Sequence, residues 1–387
     1  MADLQLTIED YQEMLSSLLL AELPYTARMQ YTEGPSLPPS FVPTLDILPS
    51  RAEIADRVST VFHAPSPEDL DQCTLRQWAT ALHTGARTGE LTFFTSGSTG
   101  EPTPATHPIT NHEQEVTALA SVFQGRTRVV SFVPRHHIYG FLFSILLPKA
   151  MGVDVQWVAP LPTPGVISNL CRGDLVVAFP LFWNKLKDMN IEFGDGLQGV
   201  TSTGPCPAQT IEALKANGLD RMYEIYGSSE TGGVGYRSTP DSGYTLLPHW
   251  SRSDDDSRLT RRDAGEGDCP YLLQDVLHWH DATTFTPTRR TDNAVQVAGI
   301  NVYPSRVREI LLEHPSIADC AVRLMRTDEG SRLKTLIVPA RNDHDVSHLR
   351  SSIQQWARDR LNPYELPMKW DFKRKIPTNA LGKIQDW

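Results

Sequence analysis

Between residues 91 and 290, short apolar runs such as Val129-Val130-Ser131-Phe132-Val133 and Leu175-Val176-Val177-Ala178-Phe179 alternate with stretches of helical periodicity. Strands that alternate with helices layer into an α/β domain. The first 90 or so residues read instead as mostly helical, with Thr7 to Asp10 forming a capping box ahead of Tyr11, Met14, Leu15 and Leu18. A Pro-rich link from Gly34 to Pro49 separates that helix from later ones. After Asp292 a compact unit begins, with Ala294-Val295-Gln296-Val297 as a strand, a helix from about Ser305 to Glu313, and strands over Ile317 to Leu324 and Thr335 to Val338. The expected architecture is a large layered α/β domain over 1–292, its first 90 residues an abbreviated helical subdomain, and a small mobile α+β lid over 293–387.

A chain of 387 residues has ample sequence for one large and one small core. A net charge of −10 argues against nucleic acid or an anionic membrane as the main partner, but leaves room for a small anion bound by a local cluster of N–H groups. Acids at Asp3, Glu9 and Asp10 stand where an export signal needs basic residues and then an apolar core, so a cytoplasmic protein is expected. The longest apolar stretch, Ile138 to Pro148, is too short for a membrane span and reads as a buried helix. Five scattered cysteines without CxxC spacing fit neither a disulfide framework nor a zinc site. Cys206 has no neighbouring basic residue to activate it and is assigned to packing. The segment Trp250 to Asp268, dense in Ser, Asp, Arg and Gly, reads as a solvated connection.

The loop Thr95-Ser96-Gly97-Ser98-Thr99-Gly100-Glu101-Pro102 follows the apolar run Leu91 to Phe94. Gly97 and Gly100 let backbone N–H groups approach anionic oxygens, and the hydroxyls of Thr95, Ser96, Ser98 and Thr99 add donors around a phosphate tail. No Gly-Lys-Ser/Thr follows, which removes an ordinary P-loop kinase or ATPase. Downstream come Tyr226-Gly227-Ser228-Ser229-Glu230, Arg290-Thr291-Asp292 leading to Gly299, and Leu381-Gly382-Lys383-Ile384. In this order the motifs resemble the adenylate-forming superfamily of acyl- and aryl-CoA ligases, peptide-synthetase adenylation domains and luciferases.

The resemblance implies a site that binds ATP and Mg²⁺ and brings a carboxylate to the α-phosphorus. It places the β- and γ-phosphates on loop 95–100, Mg²⁺ on Glu230, the α-phosphate beside the Ser229 hydroxyl, and adenine between Tyr226 and the backbone edge Thr203-Gly204-Pro205. Asp275 falls where the family binds both ribose hydroxyls, although the usual Thr-Gly-Asp has become Leu273-Gln274-Asp275. Arg290 follows as a ribose or phosphate contact, Asp292 as the hinge and Gly299 as part of the thiol-transfer region. Lys383 resembles the lysine that bridges the acid and the α-phosphate.

Departures point within the superfamily. Pro102-Thr103-Pro104 replaces Pro-Lys-Gly, and Gly299-Ile300-Asn301-Val302 replaces Gly-x-Arg-Ile, as in the phenylacetate-CoA ligase branch. Pro134-Arg135-His136-His137-Ile138-Tyr139-Gly140 is similar instead to the coumarate-CoA ligase pattern. No acid stands between Ile138 and Leu147 to pair with an α-ammonium, which disfavours amino acids. His137, Tyr139, Phe179, Phe182 and Trp183 are candidates to line an aryl pocket, with plain core as the other reading of Phe182 and Trp183. CoA is the first choice of acceptor and the phosphopantetheine of a separate carrier protein the second; an amide synthetase using an amine is the alternative class. A non-catalytic binding protein is a third, against which Glu230 and Lys383 both count.

Overall fold

The computed structural model describes residues 4–23, 35–44, 47–48, 50–96, 102–263, 267–292, 294–297, 300–326, 330, 332–340, 346–377 and 387. The chain divides into two compact units, the first comprising 1–95, 102–273 and 277–287 and the second 96–101, 274–276 and 288–387.

The first unit opens with helix Ile8–Glu22, which starts where Thr7 and Asp10 close the expected capping box. Its inward positions Tyr11, Met14, Leu15 and Leu18 are all buried. At about 1.5–3 kcal/mol per large apolar side chain, that packing stabilises a helix too short to persist alone. Helices Arg51–Phe62 and Leu75–Gly85 follow, the second opened by another capping box between Thr74 and Gln77. Strands β1 (Glu90–Ser96) and β2 (Pro102–Pro108) pair with each other and lead into helix Ile109–Val122.

Among the described residues the central sheet has nine strands. Its parallel half comprises β3 (Arg128–Ser131), β4 (Asp154–Trp157), β5 (Asp174–Ala178), β6 (Gln198–Thr201) and β7 (Arg221–Ser228), in the order β4-β3-β5-β6-β7. The order reverses at β3, because the chain leaves it for β4 on one side and returns to β5 on the other. Antiparallel strands β8 (Gly232–Arg237) and β9 (Tyr244–Leu246) extend the sheet beyond β7. Every residue of β5 is buried, with Leu175 and Val177 in one apolar cluster and Val176 and Ala178 in another. That period-two split shows a strand covered on both faces, which is why it reads as an unbroken apolar run.

The run Ile138 to Pro148 is the buried helix expected, α-helical over Ile138–Phe141 and Leu147–Met151 with a π-helical stretch Leu142–Leu146 between. The segment from Trp250 to Asp268 corrects the sequence reading. It is not a loop but most of a three-stranded antiparallel sheet, β10 (Trp250–Arg252), β11 (Arg258–Asp263) and β12 (Gly267–Leu272). The reason is that Trp250, Leu259 and Arg261 are all buried, so a stretch that looks polar has a genuine inner face. Strands β13 (Asp275–Trp279) and β14 (Thr284–Arg290) complete the nine, β14 pairing with β9.

The second unit contains the hairpin β15 (Val295–Val297) and β16 (Ile300–Val302), helix Pro304–Leu312, β17 (Ile317–Leu324), β18 (Leu333–Pro339), helix Val346–Arg358 and β19 (Lys369–Phe372). Strand β18 pairs antiparallel with β17 and parallel with β19. Val307, Leu311, Ile337 and Ile353 anchor its own core, so this part is the α+β unit expected. The carbonyl of Trp387 accepts from Arg323 and from buried Lys334, both at 2.6 Å. The same two cations lie 5.2 and 4.8 Å from the centre of its ring system. No helix among the described residues is long and apolar enough to cross a membrane, and all five cysteines are free.

Candidate active site

Three of the sequence motifs stand at or beyond the carboxyl ends of three parallel strands of the first unit, β3, β6 and β7. His137 follows β3, Thr203-Gly204-Pro205 follows β6, and Tyr226 to Glu230 ends β7. In open α/β sheets that edge, near the point where strand order reverses, is where ligands bind.

The loop after β3 is fixed by the N-terminal helix. Buried Arg135 donates to the carbonyls of Glu13 and Pro35, its backbone N–H donates to Ser17 Oγ, and the His136 ring shares a 2.9 Å hydrogen bond with the same hydroxyl. The helical segment without recognisable chemistry therefore supports one wall of the site. His137 packs 4.3 Å from the His136 ring. Its pKa is lowered to about 4, by desolvation first and by the Arg57 charge second, yet the ring keeps accessible surface. The imidazole is therefore neutral near pH 7.

Thr203 lies in the left-handed region with φ +73°. For a β-branched residue this backbone costs on the order of 1–3 kcal/mol, and such strain concentrates at functional sites. The loop is held by Ser202 Oγ, which donates to the Ile225 carbonyl, and by Cys206 N–H, which donates to Glu224 Oε1. The other oxygen of Glu224 accepts from Arg237 Nε at 2.6 Å, and the Arg237 guanidinium lies 4.5 Å from the Tyr244 ring centre. Tyr226 is half-buried, 5.6 Å from Tyr244 and 5.3 Å from Phe285. Cys206 is buried, with burial first and the Glu224 charge second pushing its thiol up to about 12, so it packs and does not attack.

Strand β7 shifts register between Tyr226 and Gly227 as it enters the turn. Ser228 N–H donates to Thr231 Oγ1, and Ser229 presents its carbonyl to His107 Nε2 at 2.6 Å, which makes that nitrogen the protonated one. Glu230 is half-buried and its carboxylate has no hydrogen bond or ion pair among the described residues. A carboxylate drawn partly out of water without a donor or cation fits a magnesium ligand.

Phe182 and Trp183 are corrected from pocket to core. They are 1% and 0% exposed in the cluster with Val130, Phe132 and Val176, and the Trp183 indole donates to the Val200 carbonyl. Tyr139 is also nearly buried, its hydroxyl donating to the carbonyls of Ala178 and Val200 and so joining the ends of β5 and β6. Of the proposed lining, His137 and Phe179 retain accessible surface. Trp183→Ala is accordingly expected to lower stability by about 3–5 kcal/mol. Denaturant unfolding checks this, and the order of preference among acids should stay unchanged.

In the second unit, Arg290 donates from Nε and Nη2 to the two oxygens of Asp292, at 2.8 and 2.7 Å. Asp292 also accepts from Ala294 N–H and the Tyr303 hydroxyl. Burial opposes its ionisation, but the Arg290 hydrogen bonds and the Ala294 N–H outweigh that and lower its pKa to about 2. Asp275 is close enough to raise the Arg290 pKa further, and Thr291 N–H donates to the carbonyl of Gln274. The side chains of Thr95 and Ser96, together with Gly97, Ser98, Thr99, Gly100, Gly299 and Lys383, lie outside the described residues.

Sequence reading missed His107, Glu115, Glu224 and Arg261, which bond to motif segments or to the residues just after them, and Arg237, which pairs with Glu224. One signal was present. Helix Ile109–Val122 carries His112 and Glu115 among the positions that also bury Val116 and Leu119, so polar residues occupy its inner stripe.

Comparison with known proteins identifies the family. The AMP-binding enzyme model matches residues 61–257, and the AMP-binding enzyme C-terminal domain matches 307–383. A 4-coumarate–CoA ligase from Halorhodospira halophila is 34% identical over 394 aligned positions, covering 98% of this chain and 99% of that protein. A second, from Cereibacter sphaeroides, is 36% identical over 348 positions, covering 86% and 81%. Among solved structures, the amide bond synthetase McbA from Marinactinospora thermotolerans superposes with a TM-score of 0.61 at 22% identity, covering 76% of this chain and 68% of its own. A double mutant of o-succinylbenzoate CoA synthetase from Bacillus subtilis gives 0.60 at 18% identity, covering 76% and 67%. These last two speak for the fold. With both family regions matched and a relative that aligns nearly end to end, the chain belongs to the AMP-binding enzymes of the adenylate-forming superfamily.

Proposed function

We propose that this chain is an AMP-forming acid–thiol ligase that activates an aryl carboxylic acid with ATP and transfers the acyl group to CoA. The observation that carries the reading is the Glu230 carboxylate, without a hydrogen bond or ion pair among the described residues and set among nucleotide motifs on the carboxyl edge of the parallel sheet. Relatives named 4-coumarate–CoA ligase support the aryl acid and the CoA acceptor.

In the first step a carboxylate oxygen bonds to the α-phosphorus as the bond to pyrophosphate breaks. In the second a thiolate bonds to the acyl carbon and AMP leaves. Thr203-Gly204-Pro205 and Tyr226 would hold adenine, Ser229 would donate to the α-phosphate, and loop 95–100 would cradle the outer phosphates. Bound magnesium, held by Glu230, would supply positive charge that offsets repulsion between the triphosphate and the acid. Asp275 and Arg290 are proposed ribose and phosphate contacts, with 1–292 as the nucleotide-binding domain and 293–387 as the domain that carries Lys383 and Gly299. His137, neutral and accessible, is the proposed wall next to the acid, with Phe179.

A pyrophosphate-release screen over aryl, cinnamic, short fatty and amino acids tests the substrate class, repeated with CoA, a holo carrier protein or amines as acceptor. Aryl acids should outpace α-amino acids, because no acid between Ile138 and Leu147 pairs an ammonium. Strong turnover of one proteinogenic amino acid with none of the aromatic acids would overturn the reading. Product formed only with an amine would favour the amide synthetase, the class of McbA, and product formed only on a holo carrier protein would replace CoA as the acceptor.

A further inference from the structure

We propose that Glu115 is a positioning residue for nucleotide-bound magnesium, holding from beneath the turn that presents Glu230. The proposal rests on the reading of Glu230 as the metal ligand. Glu115 lies on the inner stripe of helix Ile109–Val122 and is 0% exposed. Its Oε1 accepts the Gly233 N–H at 2.9 Å, while Oε2 has no hydrogen-bond partner among the described residues.

The carboxylate is pressed against the backbone of the turn. A Cβ placed on Gly233 would fall 2.3 Å from Oε1, and one on Gly232, whose φ is +71°, would fall 2.7 Å from Oε2. Only glycine lets the two approach so closely. Arg261, buried and 5.2 Å from the Trp250 ring centre, donates to the carbonyls of Thr231 at 3.3 Å and Asn111 at 2.5 Å. His107 donates to the carbonyl of Ser229. Alternate residues 229, 231 and 233 are thus each held by a different buried polar side chain, and Glu230 stands between the first two.

A wholly buried carboxylate with one oxygen unbonded is costly, and burial pushes this one up to about 7 against the opposing Arg261 charge and Gly233 N–H. An apolar residue would fill the same space at less cost. What an apolar residue lacks is an acceptor for Gly233, and without that bond the turn loses its fixed depth. Groups behind a metal ligand act on affinity by fixing the ligand's orientation, and their loss commonly costs about 10–100-fold.

The test compares Glu115→Gln, Glu115→Asp and Glu230→Gln in the full chain. Two readouts are taken: the magnesium concentration giving half-maximal pyrophosphate release at saturating ATP and acid, and calorimetric binding of a non-hydrolysable ATP analogue with and without magnesium. Glu115→Asp withdraws the acceptor from Gly233 N–H by about 1.5 Å and should raise the magnesium requirement about 10-fold or more, with KM for the acid and acyl transfer from synthetic acyl-adenylate unchanged. Glu115→Gln keeps a side-chain oxygen that can accept the Gly233 N–H and should give a smaller shift in the same direction. A shift in Glu230→Gln with none in either folded Glu115 variant overturns the positioning role alone. No shift in any of the three overturns the metal assignment and the inference together. Equal losses in adenylation and transfer, with the magnesium requirement unmoved, mean that Glu115 serves the fold and overturn the proposal.

Discussion

Changing Lys383 to alanine is expected to slow acyl-adenylate formation about 10²- to 10³-fold, while transfer from a preformed adenylate stays close to the parent rate. The acid and the triphosphate are both anions, and as the new bond forms, charge moves from the carboxylate onto the α-phosphate. A cation that touches both oxygens lowers that barrier because it interacts more strongly with the transition state than with either reactant. Lys383, within Leu381-Gly382-Lys383-Ile384, is the residue that resemblance assigns to this contact. In the second step a thiolate attacks an already activated acyl carbon and AMP leaves, so the bond between acid and α-phosphate is broken and not formed, and the lysine contact is not needed. Single-turnover pyrophosphate release and thioester formation from synthetic acyl-adenylate measure the two steps separately. Equal losses in both would make the lysine a structural residue, or would mean that the two steps share one arrangement of the chain.

Glu230→Gln is the second large effect. An amide oxygen is a poor ligand for a hard dication, so adenylation should fall by more than the roughly 10–100-fold seen when a supporting group is lost, and added magnesium should recover part of it. Stability should hardly change. The Glu230 side chain makes no hydrogen bond or ion pair among the described residues, and substitutions away from such features usually stay within about 0.5 kcal/mol. Thermal unfolding alongside a magnesium titration separates the outcomes. Unaltered turnover at limiting magnesium removes Glu230 from the metal site, and a large loss of stability marks it as a fold determinant.

Much of the parallel sheet was legible because β3 and β5 are covered on both faces and so spell continuous apolar runs. The first helix was legible from Thr7 and Asp10, whose cap depends on four neighbouring residues and nothing distant. The three-stranded sheet over 250–272 was not, because its inner face includes Arg261, and a buried guanidinium looks like a surface charge in a sequence. Glu115 also looks like a surface charge when read alone, and only its place in the inner stripe with Val116 and Leu119 marks it as buried. Phe182 and Trp183 were ambiguous, since helix Pro180–Asp188 was predictable but the side of the sheet on which it packs was not. Motifs could be placed in order along the chain. What arranges three of them along one edge is that β3, β6 and β7 run in the same direction, a property of the whole sheet.

The Glu224 carboxylate touches Cys206 on the loop that carries Thr203 and, through Arg237, reaches the Tyr244 ring beside Tyr226. One buried charge therefore ties the backbone edge and the aromatic face proposed for adenine into a single mechanical piece. Substitutions on the two sides cannot be treated as independent, and their energetic effects will be non-additive by an amount that belongs to the ion pair and not to either surface. With adenine placed as proposed, base selectivity would be a collective property, set as much by the Glu224 carboxylate behind these two surfaces as by the surfaces themselves.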